Sequence, residues 1–265
     1  YRAILKKNPK ARLIWLRNDH DLEDNQLLRY AITELGRTYD MICNNPRKGY
    51  RHWILGKKIK DSEGEILGKL NQYIPNWLTT NLNSLIMDRS CIFDSEGERD
   101  GIIYYGTFRK WRSEHFTHHL QEGVNCSSSK KHWKKFEAID CKCKMINKLS
   151  WEKGKEDLRK YKYSLYIEDI HTHENFAFLA NRYYEALMCY VVVLFDHHCQ
   201  NTIDKSQYII PQEFVIPEDS NIADYSKTLD YNKMLEIQKQ NIEIAFKDKE
   251  QCIQEVNDFT YFALH

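Results

Sequence analysis

The stretch Asn181-Arg-Tyr-Tyr-Glu-Ala-Leu-Met-Cys-Tyr-Val-Val-Val-Leu-Phe-Asp196 decides the fold. Phe176, Leu179, Tyr183 and Leu187 fall three or four residues apart and share one side of a 3.6-residue period, which predicts an amphipathic helix. Val191 to Phe195 then form a short β-branched run, with room for only a turn between the two. A helix followed at once by a buried strand is the second half of a βαβ unit. Such units build parallel sheets that bind ligands beyond the carboxyl ends of their strands. Arg182 and Glu185, three apart, are expected on the exposed flank of the helix, where a cation and a carboxylate suit a nucleotide diphosphate and its ribose. A surface ion pair is the alternative reading.

Working outward, the same alternation continues. Tyr163 to Ile167 reads as a strand ending in Glu168-Asp169, Trp151 to Arg159 as a helix, and Phe136 to Ile139 as a short strand. Ile102 to Tyr105 is a strand, Gly106-Thr-Phe-Arg-Lys-Trp-Arg112 a turn loaded with cations, and Ser113 to Gln121 a helix. Downstream come Tyr208 to Ile216 and one or two acidic helices from about 224 to 264. Toward the N-terminus, the run Ala11 to Leu16 ends in the polar loop Arg17 to Asp24, as a buried strand does when it feeds a functional loop. A helix from Asn25 to Leu35, a strand from Tyr39 to Cys43 and a strand over Tyr73 to Trp77 follow, with Asp88 to Asp100 as a polar connector. The class is α/β with parallel sheets, most simply two domains, 1–95 and 96–265.

A chain of 265 residues with 10 glycines and 5 prolines buries a substantial core and leaves little for flexible linkers. No run approaches about 18 uncharged apolar residues, and the opening decapeptide lacks the apolar core of a secretory signal. A soluble, cytoplasmic protein is therefore expected, and the non-Met first residue suggests a truncated N-terminus. The eight cysteines (43, 91, 126, 141, 143, 189, 199 and 252) show no repeated Cys-x-x-Cys pair and are expected to be reduced. His118-His119, His171-x-His173 and His197-His198-Cys199 carry metal-ligand chemistry but lack a patterned fourth ligand, so no metal site is expected. Formal net charge is +1, yet residues 1–60 sum to +8, 130–160 to +6 and 161–265 to −9. A basic region facing a polyanion is compatible with that distribution, as is a solvated charged face.

Strand, Gly106, cations and a helix start together compose an anion site over 105–113, with Arg109 and Arg112 adding forked charge-assisted hydrogen bonds. The pattern is neither Gly-x-Gly-x-x-Gly nor a Walker loop, which argues against dinucleotide oxidoreductase and NTPase chemistry. These residues resemble the GT-B type glycosyltransferases, and within them small phage-encoded enzymes that modify DNA. Tyr73-Ile-Pro-Asn-Trp77 resembles the segment closing the first domain of that family. Tyr104 to Arg112 resembles the start of the nucleotide-sugar domain, and Asn181 to Asp196 the helix and strand that hold the donor. The resemblance implies two Rossmann-like domains facing a cleft, the first one short. It implies a UDP-sugar or related nucleotide-sugar as donor substrate, with no permanently bound cofactor. It places Glu185 on the ribose hydroxyls, Arg109, Arg112 and Arg182 on the diphosphate, and Gly106 and Tyr184 in the same donor site. Ala177 stands where the retaining pattern has its first Glu, so retention or inversion is left open.

Transfer requires an acceptor hydroxyl at the anomeric carbon and stabilisation of the departing diphosphate. For an inverting reaction the loop Asp19-His20-Asp21 is the candidate source of a base, against its reading as turn and helix cap. Arg47, Lys48 and Arg51, interleaved with Tyr50, His52 and Trp53, suit phosphate contacts and base stacking. The expected acceptor is a hydroxymethylated pyrimidine in phage DNA, flipped out of the stack, which would place the enzyme in the host cytoplasm. A transferase for a surface glycan or lipid-linked sugar and a non-catalytic nucleic-acid-binding protein are the other two readings. Oligomeric state is left open.

Overall fold

The computed structural model describes residues 14–17, 40–43, 82–92, 98–149, 157–168 and 179–264. Its contacts divide the chain into two compact units, one of residues 1–85 with 249–265 and one of residues 86–248. The division falls after Leu85, where the sequence puts it near residue 95. In the first unit β1 (Ile14–Arg17) and β2 (Asp40–Cys43) pair in parallel, with Ile14 opposite Asp40 and Arg17 opposite Cys43. Both strands were legible as short apolar runs. The strand expected over Tyr73 to Trp77 and the helix over Asn25 to Leu35 lie outside the described residues.

The second unit is built on a six-stranded parallel sheet. In chain order its elements begin with β3 (Ile102–Tyr105), α1 (Ser113–His119), β4 (Val124–Ser128), α2 (Lys130–Glu137) and β5 (Lys144–Asn147). They continue with β6 (Tyr163–Tyr166), α3 (Asn181–Met188), β7 (Val192–Asp196), α4 (Gln200–Asp204), β8 (Val215–Ile216) and α5 (Ile222–Tyr225). The last helix, α6 (Tyr231–Leu264), carries residues counted with both units. Strand order is β5-β4-β3-β6-β7-β8, so the chain grows outward from β3 in one direction and then restarts beside it in the other. Every residue of β6 and β7 is buried, the pattern of interior parallel strands covered on both faces. None of the described helices is long and apolar enough to cross a membrane.

The segment that decides the fold closes as a Schellman cap. The Val191 amide bonds the Ala186 carbonyl at 3.0 Å and the Tyr190 amide bonds the Leu187 carbonyl at 3.0 Å. Tyr190 sits at φ 54°, the left-handed position that glycine usually takes, and its ring packs against the core. Arg99, itself buried, donates to the Cys189 carbonyl at 2.7 Å and so satisfies the end of α3. Helix α6 is tied to the sheet by amide side chains. Gln238 Nε2 donates to the Val191 carbonyl at 2.9 Å, and Asn241 bonds both the amide and the carbonyl of Ile209 at 2.8 Å. Further along, Asp248 accepts from the Tyr208 hydroxyl at 3.0 Å.

One sequence expectation is corrected, and two features were not foreseen. Phe136 to Ile139 is not a strand: Phe136 is the one buried side chain of α2, packed against Tyr104, Phe108 and Phe116 with centroids 5.1–6.4 Å apart. A helix with one apolar anchor and four lysines shows no apolar stripe. The strands β4 and β5 were not foreseen, because Val-Asn-Cys-Ser-Ser and Lys-Met-Ile-Asn carry little β-branched character. Within Tyr208 to Ile216 only Val215–Ile216 pairs as strand. The cysteines follow expectation, since none of those with described side chains is in a disulfide.

Candidate functional site

Parallel sheets open a crevice where strand order reverses, and here that point lies between β3 and β6. The two strands pair for only two residues, Ile102 opposite Tyr163 and Ile103 opposite Ser164. Their carboxyl ends are therefore free to part, whereas β6 and β7 stay paired from Tyr163–Val192 to Tyr166–Phe195. Four elements deliver side chains to this edge: the end of β3, the turn before α1, the end of β6 and the first turns of α3.

Glu168, two residues beyond β6 and only 4 % exposed, holds two arginines. Arg112, from the turn before α1, pairs with Oε2, and Arg182, from α3, pairs with Oε1. The two guanidinium side chains are 12 % and 14 % exposed, so the trio is largely withdrawn from water. Among the described residues, the Nε of Arg112 and the Nε of Arg182 are both buried without a hydrogen-bond partner. Two positive charges against one carboxylate leave a net positive, donor-rich edge. The Arg182 guanidinium also lies over the Tyr166 ring, 5.0 Å from its centroid, which fixes its plane. Tyr166 in turn accepts the Ala180 amide at 2.8 Å, and Tyr105 donates to the Arg182 carbonyl at 2.5 Å. Both phenols therefore anchor the start of α3.

Glu185, one turn further along α3, is half-buried. Burial pushes its carboxyl above the usual carboxylate range, and the neighbouring Arg182 charge pulls it partway back. Burial likewise raises the Tyr105 phenol well above its ordinary value, and the charge of Glu185 adds to that rise.

Of the expected donor residues the structure joins Arg112 and Arg182 through Glu168, and the Arg182 charge is felt by Glu185 on the same helix. Arg182 and Glu185 were expected on an exposed flank of the helix; instead the Arg182 side chain is largely buried and pairs with Glu168. Tyr184 is not with them: it is fully buried, with its hydroxyl 3.3 Å from that of Tyr208. Arg109 is exposed, 5.7 Å from the Trp111 ring, and its charge helps depress the titration of His132. It therefore belongs to the side where α2 presents Lys131 and Lys135. A Cβ at Gly106 would meet the Tyr104 hydroxyl at 2.9 Å, so the position is tight on the protein's own side. Asp19, His20, Asp21, Arg47, Lys48 and Arg51 lie outside the described residues. Glu168 was missed as a site residue. Its only signal was a carboxylate ending a strand ahead of a helix that carries arginine.

No protein-family model matches the sequence, and no curated protein matches it. Among solved structures the fold resembles the β-glucosyltransferase of T4 phage. One such structure, the DNA-modifying enzyme with and without uridine diphosphoglucose, has TM-score 0.64 and 16% identity over 98% of this chain and 79% of that one. A second, on substrate binding and catalytic mechanism, gives 0.63 and 16% over 94% and 75%. A third, in complex with UDP and Mn2+, gives 0.57 and 15% over 94% and 74%. The α/β fold is thus that of GT-B glycosyltransferases.

Proposed function

We propose that a chain with this fold and this edge is a glycosyltransferase, which takes a sugar from a UDP-sugar donor and delivers it to a hydroxyl on DNA. The observation that carries the reading is the pair of buried arginines pinned by one carboxylate at the switch point, each with an unpartnered Nε–H. A pyrophosphate is the ligand that such donors suit, because its oxygens accept forked charge-assisted hydrogen bonds. Glu168 holds both guanidinium planes before the ligand arrives. Charge developing on the leaving diphosphate then meets donors that need no reorganisation. Glu185 accepts from the ribose hydroxyls, which exchange its water for two fixed donors. The solved structures of similar fold include complexes with UDP-glucose and with UDP, which points to that donor. A base from the Asp19-His20-Asp21 loop completes the reading for an inverting transfer.

DNA as the acceptor is supported by the charge pattern of the second unit. Helix α2 carries Lys130, Lys131, Lys134 and Lys135, with Arg109 close by and Trp111 62 % exposed. Cations around an exposed indole suit phosphate contacts and base stacking, as Arg47, Lys48 and Arg51 do in the first unit. Hydroxymethylated pyrimidine is the base with a hydroxyl to offer. The test is transfer of labelled glucose from UDP-glucose to hydroxymethylated duplex DNA, with plain duplex and a soluble glycan acceptor alongside. Transfer to the modified duplex alone is expected. Transfer to the glycan would replace the acceptor, and absence of both transfer and a UDP-induced thermal shift in the parent would overturn the whole assignment.

A further inference from the structure

At the carboxyl end of β7 a single carboxylate gathers histidines from two separate parts of the chain. Asp196 is 1 % exposed. Its Oδ2 lies 3.0 Å from His115 Nδ1 and 2.8 Å from His119 Nε2, and its Oδ1 lies 3.1 Å from His198 Nδ1. The His198 backbone amide also donates to Oδ1 at 2.9 Å. Among the described residues its ion-pair partners are all histidines, with no lysine or arginine to balance a buried charge. One ligand atom each from His115, Asp196 and His198 lie within 4.8 Å of one another.

Two imidazole nitrogens and a carboxylate oxygen are the donor set of a borderline divalent ion of the first transition row. Calcium and magnesium would want oxygen throughout. The placement suits an open coordination sphere. Asp196 is buried, while the His115 and His198 side chains are 12 % and 36 % exposed, leaving a side from which water completes the shell. His119 fits the outer role: fully buried on α1, it hydrogen-bonds the carboxylate oxygen and so fixes its orientation. The ligands also join elements that matter for the donor edge. His115 is on α1, three residues after Arg112, and Asp196 and His198 are fixed to the sheet at the end of β7.

We propose that His115, Asp196 and His198 bind one divalent transition-metal ion of the zinc class, with His119 positioning the carboxylate, and that the ion clamps the start of α1 to the end of β7. Sequence spacing hid it, because His115 is 81 positions from Asp196 and no local motif links them.

The test uses tag-free full-length protein, stripped with EDTA and titrated with Co2+. Expected are visible d–d absorption bands saturating at one Co2+ per chain, their loss on adding Zn2+ but not Mg2+, and a higher thermal midpoint with either ion. His115→Ala and His198→Ala abolish the bands while keeping the parent's far-ultraviolet circular dichroism. His118→Ala, which removes a ring bonded to the Ser220 carbonyl, keeps them. A parent without bands and without a thermal response to Zn2+, or a His198→Ala variant that binds Co2+ like the parent, overturns the proposal. The UDP-induced shift is read on the same samples, so failure of the metal site is separable from failure of the donor site.

Discussion

Replacing Glu168 with Gln removes the negative charge that two largely buried guanidinium groups share, while keeping the shape of the side chain. Breaking a buried pair by removing one partner typically costs about 3–5 kcal/mol, because the remaining charge stays desolvated. For a domain of this size each kcal/mol moves the midpoint by about 2–4 °C, so a fall of roughly 6–20 °C is expected. The same change makes the edge more positive. At an effective dielectric of about 20 and a separation of about 6 Å, loss of the carboxylate relieves roughly 3 kcal/mol of repulsion toward a bound phosphate. Glu168→Gln should therefore melt lower than the parent without ligand and show a larger midpoint rise with saturating UDP. Thermal melts by circular dichroism with and without UDP read both quantities. Arg112→Met is the companion, since Glu168 keeps Arg182 and the UDP response shrinks. If Glu168→Gln melts with the parent, the claim that this carboxylate pins the two buried arginines is refuted; if its UDP response is no larger than the parent's, the repulsion reasoning fails.

Glu185→Gln should act in the opposite sense on stability. A carboxyl whose folded pKa lies above its unfolded one opposes folding once pH has risen through the folded value, so the amide should melt higher than the parent at pH 7.5. The variant's advantage should shrink as the pH is lowered toward the ordinary glutamate value, while the UDP shift is lost; a lower midpoint at pH 7.5 contradicts the assigned burial. Gln238→Leu strands the Val191 carbonyl and should cost about 1–3 kcal/mol in urea unfolding, with no change in UDP affinity. Substituting Gln for Lys130, Lys131, Lys134 and Lys135 together should flatten the plot of log affinity for duplex DNA against log salt by up to about 3–4; an unchanged slope removes α2 from the DNA surface.

What could be read in the sequence follows from how local its physics is. The strand Ile102–Tyr105 and the helix over Tyr183 and Leu187 were legible because apolar runs and helical spacing act locally, although the spacing was counted from Phe176 and Leu179 and the helix begins only at Asn181. Arg112, Arg182 and Glu185 were legible as chemistry, since cations after a strand and a carboxylate on a helix suit one ligand. Their partner was not. Glu168 meets arginines 14 and 56 positions away, a relation set by the order of strands rather than by spacing. Gly106 was legible as a glycine after a strand, while its close approach to the Tyr104 phenol was not. Helix α2 escaped because one aromatic anchor holds it while lysines fill the rest.

The inward amides of α6 carry one more consequence. A helix seated by leucines alone can slip by a turn and find equivalent neighbours. Gln238 and Asn241 each fit one backbone position, and Asp248 one phenol, so a slip of about 5.4 Å strands all three at once. Inserting or deleting a residue between 238 and 248 would throw the anchors on either side of the change out of phase. Length in that stretch should drift far less than side-chain identity on the helix's wet face.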